Sequence, residues 1–214
     1  CLAIDWKRLR DCDAQVEALC GLIIAEAALG SNANDLDNLM EFLVQLVNDM
    51  LHEDGGHKSR MPNNHINVMR NLIEIRNTEP SKQFAQLAWL DKTIAKMGAI
   101  CRMWRHADGQ FARFNGAGIL SLEVIEETLS RAGQKGKLIQ QAPHTGFMRF
   151  SSGRSTVIMD VGQPVKTARI AAYGTLGFEF AVGQNLLVIN PGQNANDSNL
   201  QRLLCSTKAH STVS

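Results

Sequence analysis

Between Asp35 and His52, apolar residues recur every three or four positions, and this period constrains the fold more than any other feature of the sequence. The repeat consists of Leu36, Leu39, Met40, Leu43, Leu46, Val47, Met50 and Leu51. It predicts an amphipathic helix with one buried face. The same pattern occurs in four further stretches: Asp13 to Leu29, His65 to Ile75, Ser81 to Trp104 and Ser121 to Ala132. The first two-thirds of the chain is therefore predicted to form antiparallel helix pairs joined by short loops.

The pattern changes after the glycine- and lysine-rich stretch 133–137. From His144 onward, short runs rich in Val, Ile, Phe and Thr alternate with Gly, Ser, Asn and Pro, which indicates antiparallel strands. Two hairpins are predicted, one from 147–150 with 155–160 and one from 176–182 with 186–190, and a further strand is expected at 206–213. The predicted class is α+β, with a helical domain over 1–140 and an antiparallel β domain over 141–214.

Composition excludes several classes of protein. With 44% hydrophobic residues the chain can bury a core, and its net charge of only +1 gives no global field that would attract nucleic acid. Five scattered cysteines without CxxC spacing argue against a zinc site and a disulfide framework. The longest apolar run, 18–30, is interrupted by Glu26 and is too short to span a bilayer. Because the chain begins at Cys1 and ends inside a predicted strand, we expect it to be a piece of a longer protein whose targeting segment lies elsewhere.

A short cationic loop separates the second and third predicted helices. Asp54-Gly55-Gly56 opens this loop, His57, Lys58 and Arg60 follow, and Pro62 closes it. The glycines permit backbone conformations closed to other residues, and packing gives no reason for the polar side chains to cluster. The loop is therefore predicted to bind an anionic ligand.

Several motifs, taken in order, resemble the heparinase II/III-like family of polysaccharide lyases. They are Asp54-Gly55-Gly56-His57-Lys58-Ser59-Arg60 with Pro62, Arg105-His106-Ala107-Asp108-Gly109, Phe114-Asn115-Gly116, Ala142-Pro143-His144-Thr145-Gly146-Phe147, Leu176-Gly177-Phe178-Glu179-Phe180 and Ala209-His210-Ser211-Thr212-Val213. The resemblance implies an α/α toroid followed by an antiparallel β-sandwich, both truncated here. It also implies β-elimination on a uronate-containing glycan, and a location in the cell envelope or periplasm.

Such a reaction needs groups that offset the uronate carboxylate and groups that move protons. We expect Lys58 and Arg60 to bind the carboxylate, Asn64 and His65 to contribute to substrate binding, and His57 or His65 to move protons. Tyr173 is a further acid/base candidate that could substitute for groups the family pattern expects. Arginine suits a carboxylate because its two parallel N–H groups match the two oxygens. No cofactor is expected, although some family members hold a structural divalent metal in the β region.

The chain departs from the family pattern at two positions. Family enzymes tend to have a tyrosine where this chain has Asn64, and a histidine where it has Ala172, which the only tyrosine, Tyr173, follows. A non-catalytic protein that binds anionic glycans or assembles in the envelope is therefore an alternative, and a helical-repeat interaction module is a third.

Structural roles compete with the functional ones at individual residues. His57 could hold the turn through hydrogen bonds instead of contacting substrate, and Arg60 could pair with Asp54 or cap a helix. His65, at the start of a helix, could be structural. For His106 and His144, which lie in turns beside glycine, interdomain hydrogen bonding is expected.

Overall fold

The computed structural model describes residues 6–30, 32–78, 85–133, 138–164, 174–193 and 197–212. A short 3₁₀ turn, Trp6–Arg8, precedes five helices: α1 (Cys12–Leu29), α2 (Ala33–Met50), α3 (Pro62–Arg76), α4 (Leu87–Trp104) and α5 (Leu122–Arg131). All five were predicted from the apolar period. Their ends follow local chemistry: Asp11 caps α1, Gly30 ends it with φ of 72°, and Pro62 occupies the first turn of α3.

Five antiparallel strands follow in the order of the sequence. They are β1 (Gln141–Ala142), β2 (Phe147–Ser152), β3 (Ser155–Asp160), β4 (Phe178–Val182) and β5 (Asn185–Val188), and each pairs with the next. Both predicted hairpins are present: β2 with β3, and β4 with β5. The α+β fold class is confirmed.

The sheet packs one face against the helices. Phe147, Ile158 and Ala181 on that face are buried, and Phe147 and Ile158 belong to the same core as the helices. Trp104, at the end of α4, joins the two parts because its ring meets Phe147 edge to face at 5.3 Å and His65 at 5.1 Å. Helices and sheet therefore share one apolar core.

The prediction of a strand at 206–213 is wrong for residues 206–212, which the structure describes without a strand. A helix of seven residues, α6 (Ser198–Leu204), precedes a 3₁₀ turn at Thr207–Ala209. Asp197 caps α6 by accepting the backbone N–H groups of Asn199 and Leu200. Ser211 then contacts the start of β4 through hydrogen bonds with Phe178, so the segment touches the sheet without extending it.

In the part of the chain that the structure describes, no helix combines the length and the hydropathy that crossing a bilayer requires.

Two phenylalanines on β2 test the shared core. Phe147 is fully buried, whereas Phe150 on the same strand is 50% exposed. We expect Phe147→Ala to lower the free energy of unfolding by about 3–5 kcal/mol, because it leaves a cavity beside Trp104. The matched change Phe150→Ala is expected to cost about 1 kcal/mol. Urea denaturation measures both, and equal losses would contradict a core that joins helices to sheet.

Candidate functional site

The loop between α2 and α3 is anchored to the sheet by a carboxylate. Asp54 Oδ2 accepts the backbone N–H groups of His144 (2.9 Å) and Thr145 (2.8 Å), while Oδ1 accepts the Thr145 hydroxyl (2.5 Å) and the Gly56 N–H (3.2 Å). Burial acts to raise the pKa of Asp54, but the hydrogen bonds, led by those from Thr145, hold it below its ordinary value. The ionised form of Asp54 therefore fixes the loop on the turn before β2.

Arg60 makes a second connection between the loop and the sheet. Its side chain donates to the carbonyl oxygens of Thr145 (2.8 Å), Gly146 (3.3 Å) and Gln163 (2.6 Å), and to the carboxylate of Asp160. It is only 4% exposed and lies over the ring of Phe147 at 5.0 Å. The structure thus gives the guanidinium protein partners, and it argues against the carboxylate-binding role predicted from the sequence.

Backbone geometry around Arg60 is equally constrained. Arg60 itself has φ of 57°, in the left-handed region, and the Asn115 side chain donates to its carbonyl oxygen at 3.0 Å. A Cβ on Gly162 would overlap the guanidinium, so glycine is required there for the arginine to approach the backbone.

His57 is held on both ring nitrogens. Nε2 lies 3.0 Å from Asp13 Oδ1 of α1, and Nδ1 lies 2.7 Å from Ser59 Oγ and accepts the Ser59 N–H at 3.1 Å. The residue is 5% exposed. The structure therefore places His57 in a network with Asp13 and Ser59.

His65 is a buried structural residue. Its Nδ1 accepts the backbone N–H of His57 at 3.3 Å, and its Nε2 donates to the carbonyl oxygen of Met97 at 2.9 Å. Burial lowers the pKa of His65 to about 3, so the ring is neutral at ordinary pH. Since the side chain is 0% exposed, the substrate-binding role predicted for it is not supported.

Lys58 differs from its neighbours because it is exposed. Its Nζ donates to the carbonyl oxygen of Asp49 near the end of α2, at 2.5 Å. It lines a groove of about 390 Å³ between the loop and the sheet, with His52, Arg60, Pro143, His144, Thr145, Gly146, Val161, Gly162, Gln163 and Pro164. Lys58 thus lies where helices and sheet meet.

Two histidines share this groove with Lys58. Burial lowers the pKa of His52, and the charges of Lys58, Arg60 and His144 lower it further against the opposing effect of Asp54. His144 is exposed, and its Nε2 lies 3.5 Å from a carboxylate oxygen of Glu53. The groove therefore offers one accessible ammonium group and two imidazoles, one of them biased towards the neutral form.

Asn64 lies in a different groove, of about 610 Å³, between α1 and α3. Its side-chain amide donates to Asp13 Oδ2 at 2.5 Å. The groove is lined by Asp11, Asp13, Ala14, Glu17, Asn64, Asn67, Val68, Arg70, Asn71 and Glu74. Four carboxylates and one arginine make it predominantly acidic. Asn64 is therefore apart from Lys58, and its binding role stays a prediction.

A buried hydrogen bond between two side chains joins the helical part to the sheet. His106 Nε2 lies 2.8 Å from Glu179 Oε2, and Glu179 Oε1 accepts the backbone N–H groups of Arg113 (2.8 Å) and Asn190 (3.1 Å). This pair bears out the interdomain hydrogen bonding expected for His106. His144 also contributes, but through its backbone N–H.

Tyr173 and Ala172 lie outside the described residues, so the proton-transfer role of Tyr173 stays a prediction.

Sequence reasoning missed the acidic partners Asp13, Asp160 and Glu179. Asp160 and Glu179 had a detectable signal, because a carboxylate inside an otherwise apolar strand needs a buried partner. Asp13 had none, since it lies 44 residues from His57 and resembles an ordinary acidic residue of a first helical turn.

No group of three or more His, Cys, Asp or Glu side chains within the described ranges is arranged to hold a metal ion.

Residues 134–214 match the family model described as Heparinase II/III-like, C-terminal. A curated relative, FtsZ-localized protein C of Caulobacter vibrioides, is 24% identical over 129 residues, which are 60% of this chain and 22% of the relative. The chain thus matches about a fifth of that relative's length.

Solved structures of heparinases share the fold. Heparan sulfate lyase HepC from Pedobacter heparinus matches 95% of this chain and 37% of its own, with a TM-score of 0.70 and 14% identity. The Heparinase III-BT4657 gene product matches with a TM-score of 0.73 and 17% identity over 95% of this chain and 37% of its own. At these identities the similarity shows the fold, and the chain spans somewhat more than a third of each lyase.

The Arg60–Asp160 pair is expected to stabilise the junction. Asp160→Asn leaves the guanidinium buried without a counter-charge and should lower the free energy of unfolding by about 3–5 kcal/mol. Glu74→Gln, which breaks the more exposed pair between Glu74 and Arg131, should cost at most about 1 kcal/mol. Urea denaturation compares the two variants, and an Asp160→Asn loss as small as that of Glu74→Gln would contradict the structural role.

The buried His65 predicts a loss of stability in acid. The unfolded chain binds a proton at this residue below about pH 6.5, whereas the folded chain binds it only near pH 3. The free energy of unfolding should therefore fall as pH decreases from 6.5 towards 3, with a slope of up to about 1.4 kcal/mol per pH unit from this residue.

Urea denaturation from pH 7 to pH 4 measures this slope. His65→Gln should remove its share, whereas His144→Gln, at an exposed position, should leave it. An unchanged slope in His65→Gln would refute the assignment.

Proposed function

We propose that the chain belongs to the heparinase II/III-like family, whose C-terminal model matches residues 134–214, and that it acts by β-elimination on a uronate-containing glycan bound in the groove between the loop after α2 and the sheet. The observation that carries the proposal is the position of Lys58. Of His57, Lys58 and Arg60 it is the exposed residue, and it shares a groove of about 390 Å³ with His52 and His144.

The groove supplies the two kinds of group that elimination requires. The ammonium of Lys58 can offset the uronate carboxylate, which makes the C5 proton more acidic. His52 is biased towards the neutral form and can accept that proton as the C4–O bond breaks. The departing oxygen needs a proton in return, for which His144 in the groove and the sequence-predicted Tyr173 are candidates.

Other residues of the loop and α3 hold the groove in place. Asp54 and Arg60 hold the loop on the sheet through buried hydrogen bonds, so they fix the position of the loop that carries Lys58. His57 and His65 are buried within the loop and α3. The family's fold in heparan sulfate lyase HepC, whose name states its activity, supports the choice of an anionic polysaccharide.

Ultraviolet absorbance of newly formed unsaturated uronate ends tests the proposal. The full-length protein is incubated with a panel of uronate-containing polysaccharides. We expect absorbance to rise with at least one of them, Lys58→Ala to lower kcat/KM by about 10²–10³-fold, and His52→Gln to lower it by about 10²–10⁴-fold.

Lys92→Ala, which removes an exposed lysine from α4, is the matched control and should leave the rate unchanged. If no polysaccharide gives an absorbance increase but glycan binding is retained, the protein binds glycans without catalysing elimination. A rate that is equal in Lys58→Ala and Lys92→Ala would move the site away from this groove.

A further inference from the structure

Three side chains of the loop and α1 form a linear chain of hydrogen bonds that the elimination does not use. Ser59 Oγ lies 2.7 Å from His57 Nδ1, and His57 Nε2 lies 3.0 Å from Asp13 Oδ1. Both distances are within the range at which a nucleophile contacts its base and the base contacts an orienting carboxylate.

The surrounding hydrogen bonds favour one arrangement of protons. Asp13 is a carboxylate acceptor, so Nε2 of His57 carries the hydrogen and Nδ1 carries the lone pair. Ser59 can then donate its hydroxyl proton to Nδ1. The same Nδ1 also accepts the backbone N–H of Ser59, at an N···N distance of 3.1 Å. This is the tautomer in which an imidazole can remove a proton from serine.

The carboxylate is itself fixed. Its second oxygen accepts the amide of Asn64 at 2.5 Å, so Asp13 cannot rotate without losing a hydrogen bond. Its side chain is 31% exposed and that of His57 is 6% exposed, so solvent has little access to the imidazole. The base therefore has a defined orientation before any substrate binds.

Ser59 lies beside the first turn of α3. Its Oγ accepts the backbone N–H of Met61, the N-cap residue, at 3.3 Å. Met61 provides no side-chain cap, and first-turn N–H groups of a helix have no partners within the helix. Ser59 is also partly exposed, unlike His57.

From this geometry we propose a second, hydrolytic activity in which Ser59 is the nucleophile, His57 the general base and Asp13 the residue that positions His57. The substrate class is a carboxylic ester, because an activated serine oxygen attacks an ester carbonyl carbon. The site is separate from the groove of Lys58, and the proposal does not depend on elimination occurring there.

The reaction balances without a cofactor. Ser59 Oγ attacks the ester carbonyl carbon while its proton moves to His57 Nδ1. The single bond between the acyl carbon and the alkoxy oxygen then breaks, and the leaving alkoxide takes that proton from His57. Water attacks the acyl-serine in the same manner, which releases the carboxylic acid and restores Ser59.

Covalent labelling with diisopropyl fluorophosphate tests the nucleophile in the full-length protein. Serine oxygen replaces fluoride on phosphorus, and intact-mass spectrometry detects one added phosphoryl group, which peptide mapping locates. We expect labelling at Ser59 in the wild type and none there in Ser59→Ala. Asp13→Asn, which keeps the shape of the side chain, should slow labelling and p-nitrophenyl acetate hydrolysis at least 10²-fold.

Ser130→Ala on the exposed end of α5 is the matched control and should react as the wild type does. Circular dichroism and thermal melts establish that the variants are folded. Absence of a label at Ser59 in the wild type, or a wild-type labelling rate in folded Asp13→Asn, would overturn the proposal. Either result would mean that the three residues only support the turn, whatever the result of the elimination assay.

Discussion

The buried contact between Arg60 and Asp160 is the interaction on which the rest of the structure depends. It joins the loop after α2 to the end of β3, and nearly every feature around it follows from accommodating a charged guanidinium away from water. Carbonyl oxygens from two turns of the β region accept its other N–H groups, Gly162 leaves space for its plane, and the Asn115 side chain bridges to both partners. A loop that looks suited to ligand binding is thereby made part of the core.

This constraint explains why the cationic loop divides into residues with different roles. Arg60, His57 and His65 turn inward, where they meet Asp160, Asp13 and the carbonyl oxygen of Met97. Lys58 alone of the loop's three cationic and imidazole side chains is exposed, where Nζ donates to the carbonyl oxygen of Asp49 and the residue lines the groove. The candidate chemistry is consequently at the surface of a rigid loop, next to the sheet, which is a favourable place for positioning a substrate.

The same division separates two possible activities in space. The groove of Lys58, His52 and His144 faces the sheet and has the groups that elimination on a uronate requires. The network of Asp13, His57 and Ser59 lies towards α1 and α3 and has the groups that acyl transfer requires. Both depend on the turn that Asp54 fixes, since that turn determines the direction of His57 and Lys58 at once.

The sequence by itself determined the helices and the two hairpins, because apolar periodicity and turn residues act over a few positions and are visible without long-range contacts. It also identified His106 as an interdomain residue. It could not determine which polar side chains would face each other, since Arg60 meets Asp160 across 100 residues and His57 meets Asp13 across 44. Only the tertiary structure decided that Arg60 and His65 are buried and that Lys58 is exposed. Burial is the balance between desolvation and partners, and those partners come from distant parts of the chain.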